Sequence, residues 1–577
     1  IFIVENPTSS RPYFRKFASG MHEVLGLAYK DGALYCAQRG ELTKLLDTNL
    51  DGKADVYETV YSWPLSGHYH EYSFGPKIAP DGSFFVTGNV AFGSEEWWRG
   101  ESRVPWRGWA MRITEDGKMQ PWATGMRSPA GLGFLNNELF YTDNQGDWMG
   151  SGALWKMEKG DFMGHPAGLA WTGRPESPVK LTESQFNSKI DPRKTKNDKG
   201  RFIKPENIVN ENFKTLFDMK KEFPELRLPS VWLPYGILGI STSEPITIPK
   251  GHFGSFEGQI LVGDQGMSML SRVFMEKVNG EYQGASFVFK TGFRSGVMRM
   301  SWARDGSLFI GETNRGWGSA GEANEGLERL VWSNKMPFEM KAVRAMPDGF
   351  EIEFTQPVDP ASAKDIASYS VESYIYKYQP VYGSPPVNTQ TLNIKGVKLS
   401  ADGLKARIVV DNLRRYYIHT IRLDGIREKD NYYSLVHPTA YYTLNNIPEG
   451  PKLSISELST KNSALIPEKT QQSTAAPQKL IASSAKPAQE EKVPVFNDVK
   501  AMMASYTCLS CHNPDRKLVG PSFRDIAKRN YSPEKILQLI HNPQPENWPE
   551  YPTPMPPMPQ VKKEDGLKIA AYINSLR

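Results

Sequence analysis

The sequence predicts a multidomain, mainly β chain with a helical end. The expected parts are a six-bladed β-propeller over 1–333, a β-sandwich over 334–446, a flexible linker over 447–492 and an all-α domain over 493–577. A turn-and-strand phrase recurs about every 50 residues through the first part. Strand alternation then continues at a different spacing. The final stretch changes to helical periodicity.

Composition sets the limits. A chain of 577 residues has room for three or four domains. Its 14 Trp, 25 Tyr and 27 Phe can fill several large cores. The net charge of +5 is too small and too dispersed to point to nucleic acid. No apolar run approaches the ~18 residues of a transmembrane helix. Ile1-Phe-Ile-Val-Glu is not a signal peptide, and the expectation is a trimmed mature chain.

The propeller phrase is a polar turn, often Asp-Gly, followed by an alternating apolar strand. It occurs at Asp31-Gly32, Asp81-Gly82, Asn136-Asn137, Glu257-Gly258 and Asp305-Gly306. Each repeat reads as one four-stranded blade, with the dipeptide as a hairpin turn. One interval is more than twice the others. Counting a second blade inside it gives six, and the strand after each turn is expected near the central channel. Residues 174–230, rich in Lys, Asn and Pro, read as an inserted loop with short helices.

Phe350–Phe354, Ala406–Val410 and Thr420–Leu423 alternate as strands, with turns at Asp348-Gly349 and Asp402-Gly403. They resemble a small immunoglobulin-like or fibronectin-like sandwich. It carries no evident chemistry, so a spacer or docking module is expected. Residues 447–492 are Ser, Thr, Ala, Lys, Gln, Glu and Pro with almost no aromatics. A coil of that length has an r.m.s. span of roughly 35–40 Å.

The most specific motif is Cys508-Leu-Ser-Cys511-His512. C-x-x-C-H is the attachment signature of c-type haem, with two thioethers and His512 as an axial iron ligand. A zinc knuckle would need a second Cys/His pair, and the third cysteine, Cys36, is remote in sequence. Cys36 reads as buried and inert. Downstream, Tyr551-Pro-Thr-Pro-Met555-Pro-Pro-Met558-Pro is a stiff loop able to hold a thioether against iron. Met/His ligation raises the haem potential and suits electron transfer. Haem is attached to this motif outside the bacterial cytoplasm. The expected location is therefore periplasmic or outer-surface, from an exported precursor, with a lipoprotein tether as one route to a membrane.

Residues 493–577 resemble a short bacterial class I cytochrome c. A helix over Asn497–Tyr506 precedes the motif, and an amphipathic helix over Lys563–Leu576 ends the chain. The resemblance implies that the Pro521 carbonyl accepts the His512 N–H. It also implies that Trp548 precedes the ligand loop, with Met555 the iron ligand and Met558 the spare.

Four candidates lie in the propeller region. Asp47, Asn49, Asp51, Lys53 (by its carbonyl), Asp55 and Glu58 match a calcium loop, with Gly52 at its sharp turn. In a strand, His68 and His70 would share one face, offering a general base or metal ligands. The stretches around Arg127, with Gln145-Gly146 after it, and around Arg294 and Arg299 offer arginines for an anionic cofactor or substrate.

Together these resemble soluble quinoprotein glucose dehydrogenase and L-sorbosone dehydrogenase-like propellers. The resemblance implies His68 or His70 as the base. It matches Gly125-Met-Arg127-Ser128-Pro-Ala-Gly131-Leu and Gln145-Gly146 to family motifs, and it places quinone-contacting arginines near Arg294 and Arg299. Two departures stand out. Ser128 replaces the family's Asn, and the family's cofactor-contacting Lys is missing where Gly263-Asp264-Gln265-Gly266 stands.

The expected function is oxidation of a sugar or alcohol, with pyrroloquinoline quinone and calcium as cofactors. Electrons would pass through haem c to a redox partner protein. The alternative is a non-catalytic propeller that binds a carbohydrate or a protein partner beside an electron-transfer domain.

Overall fold

A computed structural model describes residues 1–93, 97–204, 212–316, 318–463, 496–506, 508–515, 520–549, 555, 558 and 561–576. Residues 1–364 with 368–459 form one compact unit, and 365–367 with 460–577 form another.

In the first unit, four of the five polar dipeptides of the repeat are hairpin turns; Glu257-Gly258 ends a longer connection that holds the 3-10 helix Gly254–Phe256. At Asp31-Gly32 and Asn136-Asn137 both residues take positive φ, as tight hairpins require. At Asp81-Gly82 and Asp305-Gly306 the Asp side chain accepts from the Ser two residues on. It also pairs with an arginine on a neighbouring strand, Arg112 or Arg329. These partners hold both carboxylates down at about 2.

Each turn joins the first two strands of an antiparallel meander. The sheets begin with Leu27–Lys30, Ser73–Ile78, Gly131–Leu135, Thr242–Thr247 and Val297–Trp302. Successive first strands pack side by side. Arg299 closes the ring, donating from Nε to the Leu25 carbonyl and from a terminal nitrogen to the Ala130 carbonyl. Two expectations change. The strand before each turn, not the one after it, faces the axis. Among the described residues, 1–333 holds five sheets of three or more strands, preceded by a two-stranded hairpin of Phe2–Glu5 and Tyr13–Lys16. The long interval holds an insertion between the last two strands of the third sheet, Gly152–Lys156 and Val231–Leu233. Helices Glu183–Lys189 and Leu216–Glu222 sit in that insertion, each started by a capping box, at Thr182/Gln185 and Thr215/Asp218.

The expected boundary at 333 is not a break in the packing. The outer strand of the fourth sheet, Glu281–Thr291, pairs with Thr439–Leu444. From there the sheet runs on through Tyr417–Arg422 and Ser370–Ile375 to Val387–Leu392, giving eight strands. A second sheet, Met340–Met346, Gly349–Phe354, Lys405–Val410 and Ile394–Leu399, packs beside it. Alternation reveals a strand and its buried face but not its edge partner, so this join is invisible in the sequence. The expected linker also starts later than 447. Leu453 donates to Asp348, Lys398 pairs with Glu457, and Ser459 pairs with Val397. Residues 464–495 lie outside the described residues.

His419 is an oddity of this double sheet. It is fully buried beside Phe350, and neither ring nitrogen has a hydrogen-bond partner. Burial lowers its pKa to about 3; the Tyr417 backbone, too poorly placed to count as a hydrogen bond, opposes the shift. The unfolded chain takes this proton near 6.5 and the folded one only near 3. Stability is therefore complete above 6.5 and falls between those values by up to about 1.4 kcal/mol per pH unit. His419→Leu removes an unsatisfied polar ring. It is expected to stabilise the protein by about 1–2 kcal/mol at neutral pH and to flatten the acid loss, as read by urea melts at pH 7 and pH 5.

The second unit is helical: Phe496–Ser505, Cys508–Cys511, Phe523–Ala527, Pro533–His541 and Lys563–Asn574. Its core gathers Val499, Met503, Phe523, Ile536, Ile540, Ile569 and Ile573. The first and last helices meet through Phe496 and Tyr572. Among the described residues, no helix is long and apolar enough to cross a membrane.

Candidate functional site

In a four-stranded meander, the turn after the second strand and the link to the next sheet emerge at the same end. That rule gathers the polar cluster of the first unit. His70 lies in the link from the first sheet to the second, and Val90 follows the second strand of the second sheet. Arg127 lies in the link to the third sheet, and Asp147 follows that sheet's second strand. The Asp47–Glu58 loop joins a third strand to a fourth, so it emerges at the opposite end.

Val90 ties His70 to Arg127. Its N–H donates to the Arg127 carbonyl (3.2 Å), and its carbonyl accepts from His70 Nδ1 (2.8 Å). A carbonyl can only accept, so His70 carries its proton on Nδ1 and a lone pair on Nε2. Nε2 has no hydrogen-bond partner among the described residues. Burial, then the Arg127 charge, lowers the His70 pKa to about 4. The ring is thus neutral at physiological pH, packed edge-on to Phe92 at 4.6 Å. His68 does not share a strand face with it. The two lie around a turn, and His68 Nδ1 accepts from the His70 backbone.

Arg127 is buried and held by Asp147, with Nε to Oδ1 at 2.7 Å. The other Asp147 oxygen accepts from His165 Nε2 at 3.1 Å. Ala167 N–H donates to His165 Nδ1, which fixes the His165 proton on Nε2. Burial would raise the Asp147 carboxyl, but Arg127 and His165 hold it well below its ordinary value. Asp143 fixes the backbone of the same loop, accepting from the Arg127 and Ser128 N–H groups. Burial raises it to about 6 against those bonds. The terminal nitrogens of Arg127 have no hydrogen-bond partner among the described residues. Ser128 Oγ accepts from the amides of Asn89 (3.1 Å) and Asn144 (3.4 Å), and both amide oxygens are buried without partners. Orphaned oxygens, free guanidinium donors and an open imidazole form a cradle suited to a polar or anionic ligand.

Gln145 donates to the Gly150 carbonyl (3.1 Å) and supports the loop. Gly146 makes room for Arg127, since a Cβ there would lie 2.0 Å from its Nε. Gly146→Ala is expected to displace the guanidinium and cost about tenfold in affinity for an anionic ligand, measured by equilibrium dialysis with a dicarboxylate probe. Arg299 is committed to backbone carbonyls at the axis. The Arg294 side chain is exposed, and its backbone donates to Glu328. Neither belongs to the cluster. Asp264, in the Gly263–Gly266 stretch, is buried and raised to about 7, capped by backbone N–H groups.

The calcium expectation fares differently. Asp47, Asn49, Asp51 and Asp55 accept from N–H groups of their own loop, and Glu58 lies on the next strand beside Lys44. Lys53 donates its own N–H to Asp51. No three carboxylate, imidazole or thiolate groups converge among the described residues. These bonds hold the loop in Asx turns and leave further lone pairs on each carboxylate.

Asn89, Asp147 and His165 were not singled out as site residues from sequence. Asp147 stands beside Gln145-Gly146 in the chain, but nothing in the sequence joins it to His165.

In the second unit, His512 is buried and its Nδ1–H donates to the Pro521 carbonyl at 2.7 Å. Its ring stacks on Phe523. Gly520 passes so close that a Cβ would lie 2.7 Å from the imidazole. The bond to Pro521 leaves Nε2 as the donor for a metal, the usual outer-shell arrangement. Cys508 is buried in the core, while of Cys511 only the backbone is described. Met558 is buried, with its N–H on the Ile540 carbonyl. Met555 is half-buried at the edge of the same core. Trp548 packs under the Arg529 guanidinium at 4.4 Å.

No protein-family model matches the chain. Among solved structures, it is similar to a glucose dehydrogenase-like oxidoreductase from Thermus thermophilus: 17% identity, TM-score 0.37, over 57% of this chain and 92% of that one. It is also similar to the aldose sugar dehydrogenase of Streptomyces coelicolor: 15% identity, TM-score 0.37, over 57% and 87%. Cytochrome c-551 of Stutzerimonas stutzeri is 33% identical over 84 residues, 14% of this chain and 78% of that protein. Cytochrome c-551 of Pseudomonas denitrificans is 36% identical over 75 residues, 12% and 87%. With a third of positions shared across more than three quarters of such a protein, the chain belongs, through that one segment, to the cytochrome c-551 family.

Proposed function

We propose that the chain is an exported oxidoreductase that oxidises a sugar or alcohol at the His70–Arg127 cluster and passes the electrons singly through haem c. The observation that supports it most is the neutral His70, its Nε2 open beside an arginine with uncommitted donors.

His70 accepts the hydroxyl proton at Nε2, while the Val90 carbonyl holds the ring by Nδ1–H. Arg127, kept charged by Asp147 despite its burial, binds and orients an anionic or carbonyl-bearing group through its terminal nitrogens. Asn89, Asn144 and Ser128 line the cradle, and Asp147 and His165 keep Arg127 in place. Pyrroloquinoline quinone, when bound there, would supply the two-electron acceptor. Haem c, held through Cys508 and Cys511 with His512 and Met555 as its iron ligands, would supply the one-electron outlet. Pro521 orients His512 for that role. Attachment outside the bacterial cytoplasm makes the protein periplasmic or outer-surface, with a redox partner protein downstream.

The test is to mix oxidised protein with sugars and alcohols, with and without pyrroloquinoline quinone, and follow the haem α-band. Reduction by a substrate only with quinone supports the proposal. No reduction under any condition, in protein that dithionite reduces, favours a propeller that only binds a carbohydrate or protein.

A further inference from the structure

The double-sheet region reaches the polar cluster through one loop. Residues 376–386 connect Ser370–Ile375 to Val387–Leu392 and lie along the third sheet's 143–151 loop. Trp148 N–H donates to the Gln379 carbonyl (2.8 Å), Gly383 N–H to Gly146 (2.8 Å) and Ser384 N–H to Gly150 (3.0 Å). Trp148 also packs on Tyr378, ring to ring at 4.9 Å. The loop is thereby pinned at several points, and its tip is placed opposite Asp147. That tip is Tyr382. Its ring lies 5.2 Å from the Arg127 guanidinium and remains 46% exposed. The other exposed aromatic of the cluster is Tyr69, 60% exposed, beside His70.

A large aromatic left half in water, on a loop pinned by main-chain bonds, offers a flat apolar face at a polar site. Pyranose rings present an apolar C–H face and a polar rim, and a Tyr beside an Arg complements both. We infer that Tyr382 is a substrate-binding and specificity-determining residue: its ring is a platform for the C–H face of a pyranose whose reacting hydroxyl points to His70. The region expected from sequence to be a spacer or docking module thus completes the site. The inference rests on the proposed sugar or alcohol oxidation and narrows its substrate class to ring sugars.

The experiment uses the full haem-bearing chain, wild type, Tyr382→Ala and Tyr382→Phe, with D-glucose and 1-propanol as probes. Haem reduction in the presence of quinone gives kcat and KM, and calorimetry gives D-glucose binding without quinone. The expected result for Tyr382→Ala is a roughly tenfold rise in KM and in the dissociation constant for glucose. Its kcat and its values for propanol should stay near wild type, and Tyr382→Phe should match wild type throughout. Wild-type glucose turnover with no change in Tyr382→Ala overturns the inference and leaves the dehydrogenase reading standing. An equal loss for both substrates, carried in kcat, also overturns it, because Tyr382 would then only position Arg127. Neither turnover nor binding in wild type overturns the dehydrogenase reading, and the inference with it.

Discussion

His70→Asn is expected to lower kcat/KM for substrate-driven haem reduction by about 10²–10⁴-fold, the usual contribution of a positioned general base. The amide can keep a hydrogen bond to the Val90 carbonyl, so the loop should hold. What it lacks is a basic nitrogen facing the cavity. Dithionite reduction and the haem spectrum should be unchanged, which separates loss of chemistry from loss of the electron outlet. The pH profile gives a second test. Because burial and the Arg127 charge hold His70 at about 4, the acid limb of kcat/KM should fall tenfold per pH unit only below about 4. A limb near the ordinary 6.5 would assign the base to another group. An unaltered rate in His70→Asn would remove the proposed base.

The second large effect belongs to His512. His512→Ala removes the ring that Pro521 orients and Phe523 supports. It should abolish the sharp α-band of the reduced protein and with it all substrate-driven reduction, while D-glucose binding measured by calorimetry persists. Met555→Leu should alter the axial field and lower the potential. Met558→Leu should be nearly silent in the spectrum, because Met558 is core packing. If Met558→Leu has the spectral effect and Met555→Leu has none, the assignment of the two methionines is reversed.

Local features were well read from the sequence. Asp-Gly and Asn-Asn dipeptides mark tight turns because few residues tolerate positive φ, and all five turns fall at strand pairs. C-x-x-C-H and the Gly-Pro step after it place His512 against Pro521. Only tertiary contacts could reveal the rest. The long interval between turns looks the same whether it holds a blade or an insertion, so the insertion reads as a further blade. His68 and His70 alternate as strand residues do, but a turn separates them. The Asp47–Glu58 spacing fits a calcium loop, and its Asp and Asn side chains fold the loop through Asx turns, which the same residue types at the same spacing also serve. Asp147 and His165 lie 18 residues apart and Tyr382 in a remote stretch, and no local signal connects them.

The strand pairing between Glu281–Thr291 and Thr439–Leu444 also constrains how the chain is made. During synthesis the fourth sheet emerges with its outer edge bare, and the strand that covers it is still ~150 residues away. At about 5–20 residues per second, that interval lasts on the order of ten to thirty seconds. Throughout it the stretch around Gly284–Ser286, which the late strand will pair, presents unpaired backbone groups to any neighbouring chain. A chain truncated before Thr439 is therefore expected to self-associate through this edge more than the full chain, as size-exclusion chromatography would read.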